Sequence, residues 1–401
     1  MTQAPVRQSY DVVIVGGAML GSSVAWFTMM NPDFDGTLLV VERDATYENA
    51  STSHTNSCMR QQFSNAVNVK ISQFAANFVK TFRDQMGNDP RVPAITLQSY
   101  GYMYLADTPE FAQTLKEAQA VQASLGAGTK HMTRDQIAAA YPFYQLDDII
   151  AGNHNLIDEG YFDGGTVFDW WKRSAREHGA EYIQNEVTAM TLNTSGTRVD
   201  SVTLKSGEVV ACGQVVNASG PRASLTAAMA GIEIPVEPRK RYTYIFEAEK
   251  PLDRDLPLTI DPSGVHMRTD GQYYLAGCPP DDDPAVDHDD FVQDHSLWEE
   301  KVWPVLATRV PQFEAIKLRN SWAGHYAYNT LDQNAIIGPH DTVANFIFVN
   351  GFSGHGFQQS PAMGRGVSEL LTYGAFRSLD LEAFGFNRIR QGEKFLETAV
   401  I

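Results

Sequence analysis

Cysteine is scarce in this chain of 401 residues: its three cysteines, Cys58, Cys212 and Cys278, lie far apart and form no CxxC pair. A disulfide framework or a zinc ribbon needs more cysteines at close spacing, so both are excluded and a reducing compartment is expected. Long apolar runs are absent too, since no stretch of about 18 uncharged apolar residues occurs, and no membrane-spanning segment is predicted. Residues 10–30 are apolar but contain three glycines and lack a basic leader, so they do not match a secretory signal. The expected location is therefore the cytoplasm.

Basic residues are few as well. Lys and Arg total 31 against 48 Asp and Glu, which gives a net charge of −17. Binding to nucleic acid or to an anionic membrane surface needs a positive face, so neither is expected. Residues 281–294 are rich in aspartate and contain His288, but Pro279, Pro280 and Pro284 break any helix there and no ligand spacing repeats. A solvated loop is favoured there over a metal site.

The start of the chain has the order of a dinucleotide-binding unit. Residues 11–15 are mostly β-branched and predict a buried parallel strand, and an apolar helical pattern follows as far as Thr28. A second strand is predicted over residues 37–41 and ends at Glu42. The turn between the first strand and the helix contains Gly16, Gly17, Ala18, Met19 and Gly21. This order of strand, glycine turn, helix, strand and acid is that of a Rossmann β-α-β unit.

Each part of that unit has a physical task. Gly16 permits the tight turn, the small Ala18 lets backbone N–H groups approach a pyrophosphate, and Gly21 lets the helix lie close to the strand. The helix N-terminus then presents a partial positive charge to the phosphate. Glu42 stands where a carboxylate would accept hydrogen bonds from a ribose hydroxyl. Ala18 departs from the fingerprint, which has glycine there, and an ordinary glycine turn stays open as the alternative.

A second glycine-rich turn lies near the C-terminus. Residues 345–350 predict an apolar strand, residues 351–357 read Gly-Phe-Ser-Gly-His-Gly-Phe, and residues 358–373 predict a helix. Exposed N–H groups and a helix dipole would again face an electron-rich group. In the middle of the chain, residues 214–220 predict a strand that ends in small residues, where a further Rossmann strand would pass the cofactor.

The pairing of the two turns resembles the FAD-dependent oxidoreductases of the D-amino acid oxidase superfamily, which includes glycine oxidase and sarcosine oxidase. Residues 60–64, 321–334 and 351–357 are also similar to a mitochondrial branch of this family linked to assembly of respiratory complex I. The resemblance implies an α/β (α+β) fold, in which a Rossmann-like FAD-binding domain is interleaved with an antiparallel-sheet substrate domain. The FAD-binding domain would comprise residues 1–90, 145–226 and 332–401, and the substrate domain residues 91–144 and 227–331.

The resemblance further implies non-covalent FAD. Sarcosine oxidases attach FAD to a cysteine where this chain has His325, so that link is absent, and a histidyl link through His325 or His54 stays open as an alternative. The residues expected to bind the cofactor are Gly16, Gly17, Ala18, Met19, Gly21, Glu42, Arg43, Ser51, Thr52, His54, Val187, Ala218, Gly220, Gly351, Gly354, His355, Gly356, Phe357 and Gln358.

The implied reaction is oxidation of the C–N bond of an amino acid or a secondary or N-methyl amine that carries a carboxylate, by hydride transfer to flavin N5. Arg60 is expected to grip the carboxylate with its two-pronged guanidinium; the alternatives are a surface arginine or one paired with an acid. Gln358 stands where sarcosine oxidases have a lysine, and His325 and Tyr274 are expected to border the substrate.

The electron acceptor would be oxygen, a redox protein or a quinone. The strand predicted around Tyr274 carries no lysine, whereas sarcosine oxidases use a lysine there to reduce oxygen, so a dehydrogenase is favoured over an oxidase. One competing hypothesis is a flavoprotein scaffold or assembly factor with little turnover of small molecules. The other is an NAD-dependent dehydrogenase that uses the first glycine turn alone, and the second glycine turn argues against it.

Overall fold

Two eight-stranded β-sheets dominate the chain in the computed structural model, which describes residues 2–398. In chain order the strands are β1 (Ser9–Val15), β2 (Leu38–Glu42), β3 (Cys58–Met59), β4 (Tyr102–Ala106), β5 (Lys130–Thr133), β6 (Ala151–Asn155), β7 (Gly160–Tyr161), β8 (Glu181–Gln184), β9 (Val187–Leu192), β10 (Val199–Leu204), β11 (Val209–Asn217), β12 (Val236–Ala248), β13 (Leu258–Ile260), β14 (His266–Asp270), β15 (Tyr273–Cys278), β16 (Ile316–Asn329), β17 (Ile336–Pro339) and β18 (Phe346–Asn350). The α-helices are α1 (Met19–Met29), α2 (Ala66–Lys80), α3 (Phe82–Gln85), α4 (Pro109–Ser124), α5 (Arg134–Ala140), α6 (Gly164–Glu177), α7 (Ala223–Ala228), α8 (Trp303–Arg309), α9 (Gly356–Tyr373) and α10 (Phe386–Gln391).

The first sheet has the order β17-β18-β11-β1-β2-β8, with β10 and β9 attached to β11. Its central strands β18, β11, β1, β2 and β8 run parallel, so both faces are covered. Side chains alternate along β1: Val12 and Ile14 pack into the layer of helices α1, α6 and α9, while Val13 and Val15 pack into the opposite layer. The carboxyl ends of β1, β2, β11 and β18 meet at one edge of the sheet, beside both glycine-rich turns.

The second sheet has the order β16-β12-β15-β14-β13-β4-β6-β5 and is antiparallel apart from the β13–β4 pair. One face packs under α8 and the helical segment Trp298–Val302, and its core includes Tyr244, Phe246 and Phe313. The neighbouring residues on β12, Arg241 and Thr243, border a cavity on the other face. This alternation makes the second sheet a roof over the carboxyl edge of the first.

The mixed α/β class expected from the sequence is confirmed. One strand prediction differs in detail. The strand predicted over residues 214–220 is the second half of β11, which begins at Val209, pairs with β1 and ends at Asn217.

The division into domains stays a prediction, with one adjustment. Strand β6 falls within residues 145–226, which were assigned to the FAD-binding domain, but it hydrogen-bonds with β4 and β5 of the second sheet. The chain therefore leaves the second sheet only after Asn155. The local pattern of residues 151–155 does not show this, because it depends on pairing with distant strands.

Candidate functional site

A cavity of about 340 Å³ opens at the carboxyl edge of the first sheet and continues under the second. At one end it is lined by the first glycine turn and by Glu42. At the other end it is lined by the second glycine turn, the loop that follows β2, and roof residues such as Arg241 and His266.

The first turn leaves no room for a side chain at Gly16 and Gly21. Gly16 has φ +96°, and a Cβ there would lie 2.6 Å from the Ala218 carbonyl oxygen. A Cβ on Gly21 would lie 1.8 Å from the Gly16 oxygen, so α1 rests directly on the turn. The glycines therefore have the conformational tasks that the sequence predicted for them.

Polar contacts fix the backbone of this turn. The Gly17 N–H donates to a Glu42 carboxylate oxygen at 2.8 Å, and the Met19 N–H donates to the Thr52 hydroxyl at 3.1 Å. The other Glu42 oxygen accepts from the Asp44 N–H at 2.8 Å. Burial raises the pKa of Glu42, and the two N–H donors act against that shift. The carboxylate is thus held at the end of β2, where it borders the cavity.

The second turn leads into α9. Gly351 and Gly354 have φ +71° and +97°, and a Cβ on Gly354 would lie 2.4 Å from the ring of Tyr326. His355 is the N-cap residue of α9, whose first turn includes Gly356 and Phe357. The N-terminus of an 18-residue helix therefore points its partial positive charge at the cavity.

Arg60 lies beside this turn and is only 1% exposed. Its guanidinium donates to the Gln62 carbonyl at 3.0 Å and to Nε2 of His355 at 2.7 Å, and it also contacts the Tyr104 hydroxyl. Burial and the positive charge of Arg60 hold the pKa of His355 well below its usual value, so this ring is neutral and accepts the bond. Arg60 borders the cavity and fixes the turn; its grip on a carboxylate stays a prediction.

Gln358 joins the same cluster. Its side-chain oxygen accepts from the Arg60 backbone N–H at 2.7 Å, and the residue is 5% exposed. A glutamine here ties the loop after β2 to α9.

His325 and His54 lie together on another wall. The Phe291 ring stacks on His325 with centroids 4.2 Å apart and lies 5.9 Å from His54. His325 Nε2 donates to the Asp290 carbonyl at 2.7 Å, and burial lowers the pKa of its ring. The Ser51 hydroxyl donates to the His325 carbonyl at 2.6 Å, which binds this wall to the loop after β2.

Tyr274 was predicted to border the substrate, and this is wrong. Tyr274 pairs with Phe246 in the β12–β15 register, so it points to the helix-covered face of the roof. Its ring stacks on Phe246 at 5.5 Å, and its hydroxyl accepts from the Leu252 N–H at 2.9 Å. The strand was identified correctly, but its phase was not, and a change of one residue in phase reverses the face.

The structure brings most of the other predicted residues together. Gly17 and Gly21 support the turn from behind rather than line the cavity. Those that do line it are Gly16, Ala18, Met19, Glu42, Arg43, Ser51, Thr52, His54, Arg60, Val187, Ala218, Gly220, His325, Gly351, Gly354, His355, Gly356, Phe357 and Gln358. Their binding roles stay predictions.

Several lining residues were missed. Burial and the nearby guanidinium groups of Arg268 and Arg241 lower the pKa of His266 to about 4, so this roof imidazole is neutral. His266 Nε2 accepts from the Asn56 side-chain amide at 3.2 Å. Period-two alternation along the residues that form β12 could have identified Arg241, but nothing in the local sequence singles out His266.

Residues 2–398 contain no group of three or more acidic, histidine or cysteine side chains arranged to hold a metal ion. None of the helices in that range has both the length and the apolar character needed to cross a bilayer.

The two glycine turns and Glu42, here named the cradle, fit a dinucleotide. A Cβ on Gly16, Gly21 or Gly354 would lie within 2.6 Å of a neighbouring atom, and the N-termini of α1 and α9 and the Glu42 carboxylate border the same cavity. A pyrophosphate needs such N–H groups, and a ribose needs such a carboxylate.

Comparisons with known proteins agree. The family described as “FAD dependent oxidoreductase” matches residues 11–370. The chain is 37% identical over 424 residues to “FAD-dependent oxidoreductase domain-containing protein 1” of Xenopus laevis, an alignment that covers 98% of this chain and 85% of the relative.

Solved structures show the same fold. L-proline dehydrogenase from P. horikoshii superposes with a TM-score of 0.84 at 24% identity, covering 97% of this chain and 100% of that one. Glycine oxidase from Geobacillus kaustophilus superposes with a TM-score of 0.77 at 20% identity, covering 94% and 98%. The resemblance inferred from the sequence is confirmed, and the chain belongs to the D-amino acid oxidase family of FAD-dependent oxidoreductases.

Proposed function

We propose that this protein oxidises the C–N bond of an amino acid or of a secondary or N-methyl amine bearing a carboxylate, with FAD held non-covalently. The observation that carries the proposal is the continuity of the cavity. One space runs from the first glycine turn of the cradle to the second glycine turn and then under a roof that carries arginine and histidine. A cofactor in the cradle and a small acidic substrate under the roof would therefore meet.

The cofactor half is held by residues at fixed positions. The N–H groups at the start of α1 would face the pyrophosphate and Glu42 a ribose. When bound, FAD supplies a hydride acceptor at flavin N5. The N-terminus of α9, with the Gly356 and Phe357 N–H groups, would stabilise the negative charge that builds up on reduction.

Two arginines border the substrate half of the cavity, Arg60 and Arg241. The Arg241 guanidinium, which pairs with Asp283, lies 4.7 Å from the Tyr326 ring centre. Positive charge attracts a carboxylate and also lowers the pKa of a bound ammonium. Loss of a hydride from the carbon next to nitrogen needs a neutral amine, so both effects favour the reaction.

The proposal draws support from two proteins of the same fold whose names state an amino acid as substrate, L-proline dehydrogenase and glycine oxidase. The acceptor is proposed to be something other than oxygen. Support for this comes from the lining, which includes no lysine within residues 2–398.

The test is an oxygen-free absorption spectrum of the FAD-loaded protein before and after addition of proline, sarcosine, glycine, N-methyl amino acids and amines without a carboxylate. We expect the oxidised-flavin band to bleach with at least one carboxylate-bearing amine and with none of the amines lacking it. Bleaching only by amines without a carboxylate would overturn the substrate class. A loaded flavin that no compound bleaches would favour the scaffold function.

The acceptor is tested with the compound that bleaches. Reoxidation of the reduced protein is followed after mixing with air-saturated buffer or with an artificial quinone. Faster reoxidation by the quinone is expected, and rapid reoxidation by oxygen with hydrogen peroxide release would identify an oxidase.

A further inference from the structure

The aspartate-rich segment has a place in the fold that the proposed function does not use. Residues 279–295, here named the acidic strap, connect β15 to the helical segment Trp298–Val302 and contain seven aspartates. The strap forms neither helix nor strand. It was expected to be a solvated loop, yet it runs along the mouth of the cavity.

Basic residues from the surrounding elements hold the acidic strap in place. Asp283 receives two hydrogen bonds from Arg241, at 2.7 and 2.9 Å, and Asp290 pairs with Lys240 at 2.7 Å. The Lys240 ammonium also donates to the Val292 carbonyl at 2.9 Å. The strap is therefore fixed to β12 of the roof along much of its length.

The inner side of the acidic strap forms part of the cavity wall. His288, Asp289 and Phe291 all line the cavity. The Phe291 ring is inserted between His54 and His325, nearly parallel to both, with interplanar angles of 22° and 15°. These two histidines come from the loop after β2 and from the roof, so Phe291 seals the seam between the two sheets.

Asp289 closes the mouth at the other end. Its carboxylate bridges Arg43 at 2.9 Å and Arg222 at 3.1 Å. Arg43 directly follows Glu42 at the end of β2, and Arg222 follows Gly220 after β11. Both arginines line the cavity, so one strap carboxylate joins the two sides of the opening over the end of the cradle that holds Glu42.

We propose that the acidic strap is a cofactor-retaining wall: bound FAD leaves only when Asp289 releases Arg43 and Arg222 and when Phe291 withdraws from between His54 and His325. The proposal rests on the proposed non-covalent FAD. The two ion pairs of Asp289 with Arg43 and Arg222 are here named the clasp. The clasp is exposed to solvent, since the Asp289 side chain is 58% accessible, and salt therefore screens it. Retention of FAD is therefore sensitive to ionic strength, although the cradle itself is buried.

The test is the rate of FAD release after dilution of the loaded full-length protein, followed by the rise in flavin fluorescence. Asp289→Asn removes the clasp, and Asp282→Asn is the matched control, because it removes the same charge from an exposed strap residue that forms no ion pair in the described part of the chain. We expect Asp289→Asn to release FAD about 3- to 10-fold faster than wild type, from the usual strength of two exposed ion pairs. Asp282→Asn should match wild type.

Ionic strength gives a second readout on the same samples. Raising salt from about 0.05 M to about 0.5 M shortens the screening length several-fold, so wild-type release should accelerate and Asp289→Asn release should change less. Phe291→Ala should release FAD at least about 10-fold faster, as expected for loss of a packed aromatic ring. Val292→Ala is its control, because Val292 is 75% exposed.

Equal release from Asp289→Asn and Asp282→Asn, with equal salt dependence, would overturn the clasp. Release from Phe291→Ala no faster than from Val292→Ala would overturn the wall. A chain that cannot be loaded with FAD at all would instead contradict the proposed function, and this proposal with it.

Discussion

Replacing Gly354 with alanine tests the second glycine turn, because the structure assigns two separate costs to the added methyl group. Gly354 has φ +97°, and holding alanine in the left-handed region costs about 1–2 kcal/mol. The new Cβ would also lie 2.4 and 2.5 Å from two carbons of the Tyr326 ring, whose centre lies 4.7 Å from the Arg241 guanidinium. Overpacking of this kind costs about 1–3 kcal/mol. The free energy of unfolding should therefore fall by about 2–5 kcal/mol.

Gly374 supplies the matched control. It has φ +73° at the end of α9, and a Cβ there would meet nothing within 4 Å. Gly374→Ala should therefore lose only the conformational part, about 1–2 kcal/mol. Both variants would be unfolded in urea and titrated with FAD, and only Gly354→Ala should also bind FAD more weakly. In a Tyr326→Ala background, Gly354→Ala should lose only the conformational part, about 1–2 kcal/mol, because the clash with the ring is gone.

The outcome that refutes this reasoning is equal stability and equal FAD affinity in the two glycine variants. It would mean that the ring of Tyr326 moves aside at no cost and that the turn does not need its shape.

Three further predictions concern other parts of the molecule. Gly21→Ala should abolish FAD binding, because its Cβ would lie 1.8 Å from the Gly16 oxygen, and a fully loaded variant would refute the function assigned to the first turn. Arg60→Lys keeps the positive charge but loses the two-pronged guanidinium, so KM for a carboxylate substrate should rise more than kcat falls. Tyr274→Phe should leave KM unchanged. The opposite pattern would reverse our assignment of the two residues. Burial lowers the pKa of His154 to about 4, so between pH 6.5 and 4 the unfolded chain binds a proton that the folded chain does not, and the free energy of unfolding should fall with falling pH by about 3 kcal/mol from this residue. His154→Gln should remove that part of the pH dependence, and an unchanged urea midpoint profile from pH 7 to 4 would contradict it.

The sequence was sufficient where local rules decide the structure. Glycines that need a positive φ or a close approach, a buried β-branched run and a following helical stripe identify β1, the first turn and α1 from residues 9–29 alone. The same rules identify β18, the second turn and α9. The cradle follows because parallel strands bring their carboxyl ends to one edge.

The rest depends on pairing that no local pattern encodes. Tyr274 lies on a correctly predicted strand, but its face is set by the register with Phe246 on β12. His266 borders the cavity because β14 pairs with β15, and its ring lies across Gly277, where a Cβ would be 2.7 Å from Nε2. The acidic strap has the composition of a solvated loop. It becomes part of the cavity wall because it forms ion pairs with Arg43, Arg222 and Lys240, which are distant from it in the sequence.

The most direct test of the proposed function is the oxygen-free visible spectrum of the purified full-length chain after incubation with FAD, recorded before and after a carboxylate-bearing amine is added. We expect an oxidised-flavin band equivalent to one FAD per chain that remains with the protein on gel filtration and bleaches with such an amine. A chain that retains no flavin would contradict the assignment of the cavity, and a retained flavin that no such amine reduces would contradict the proposed reaction.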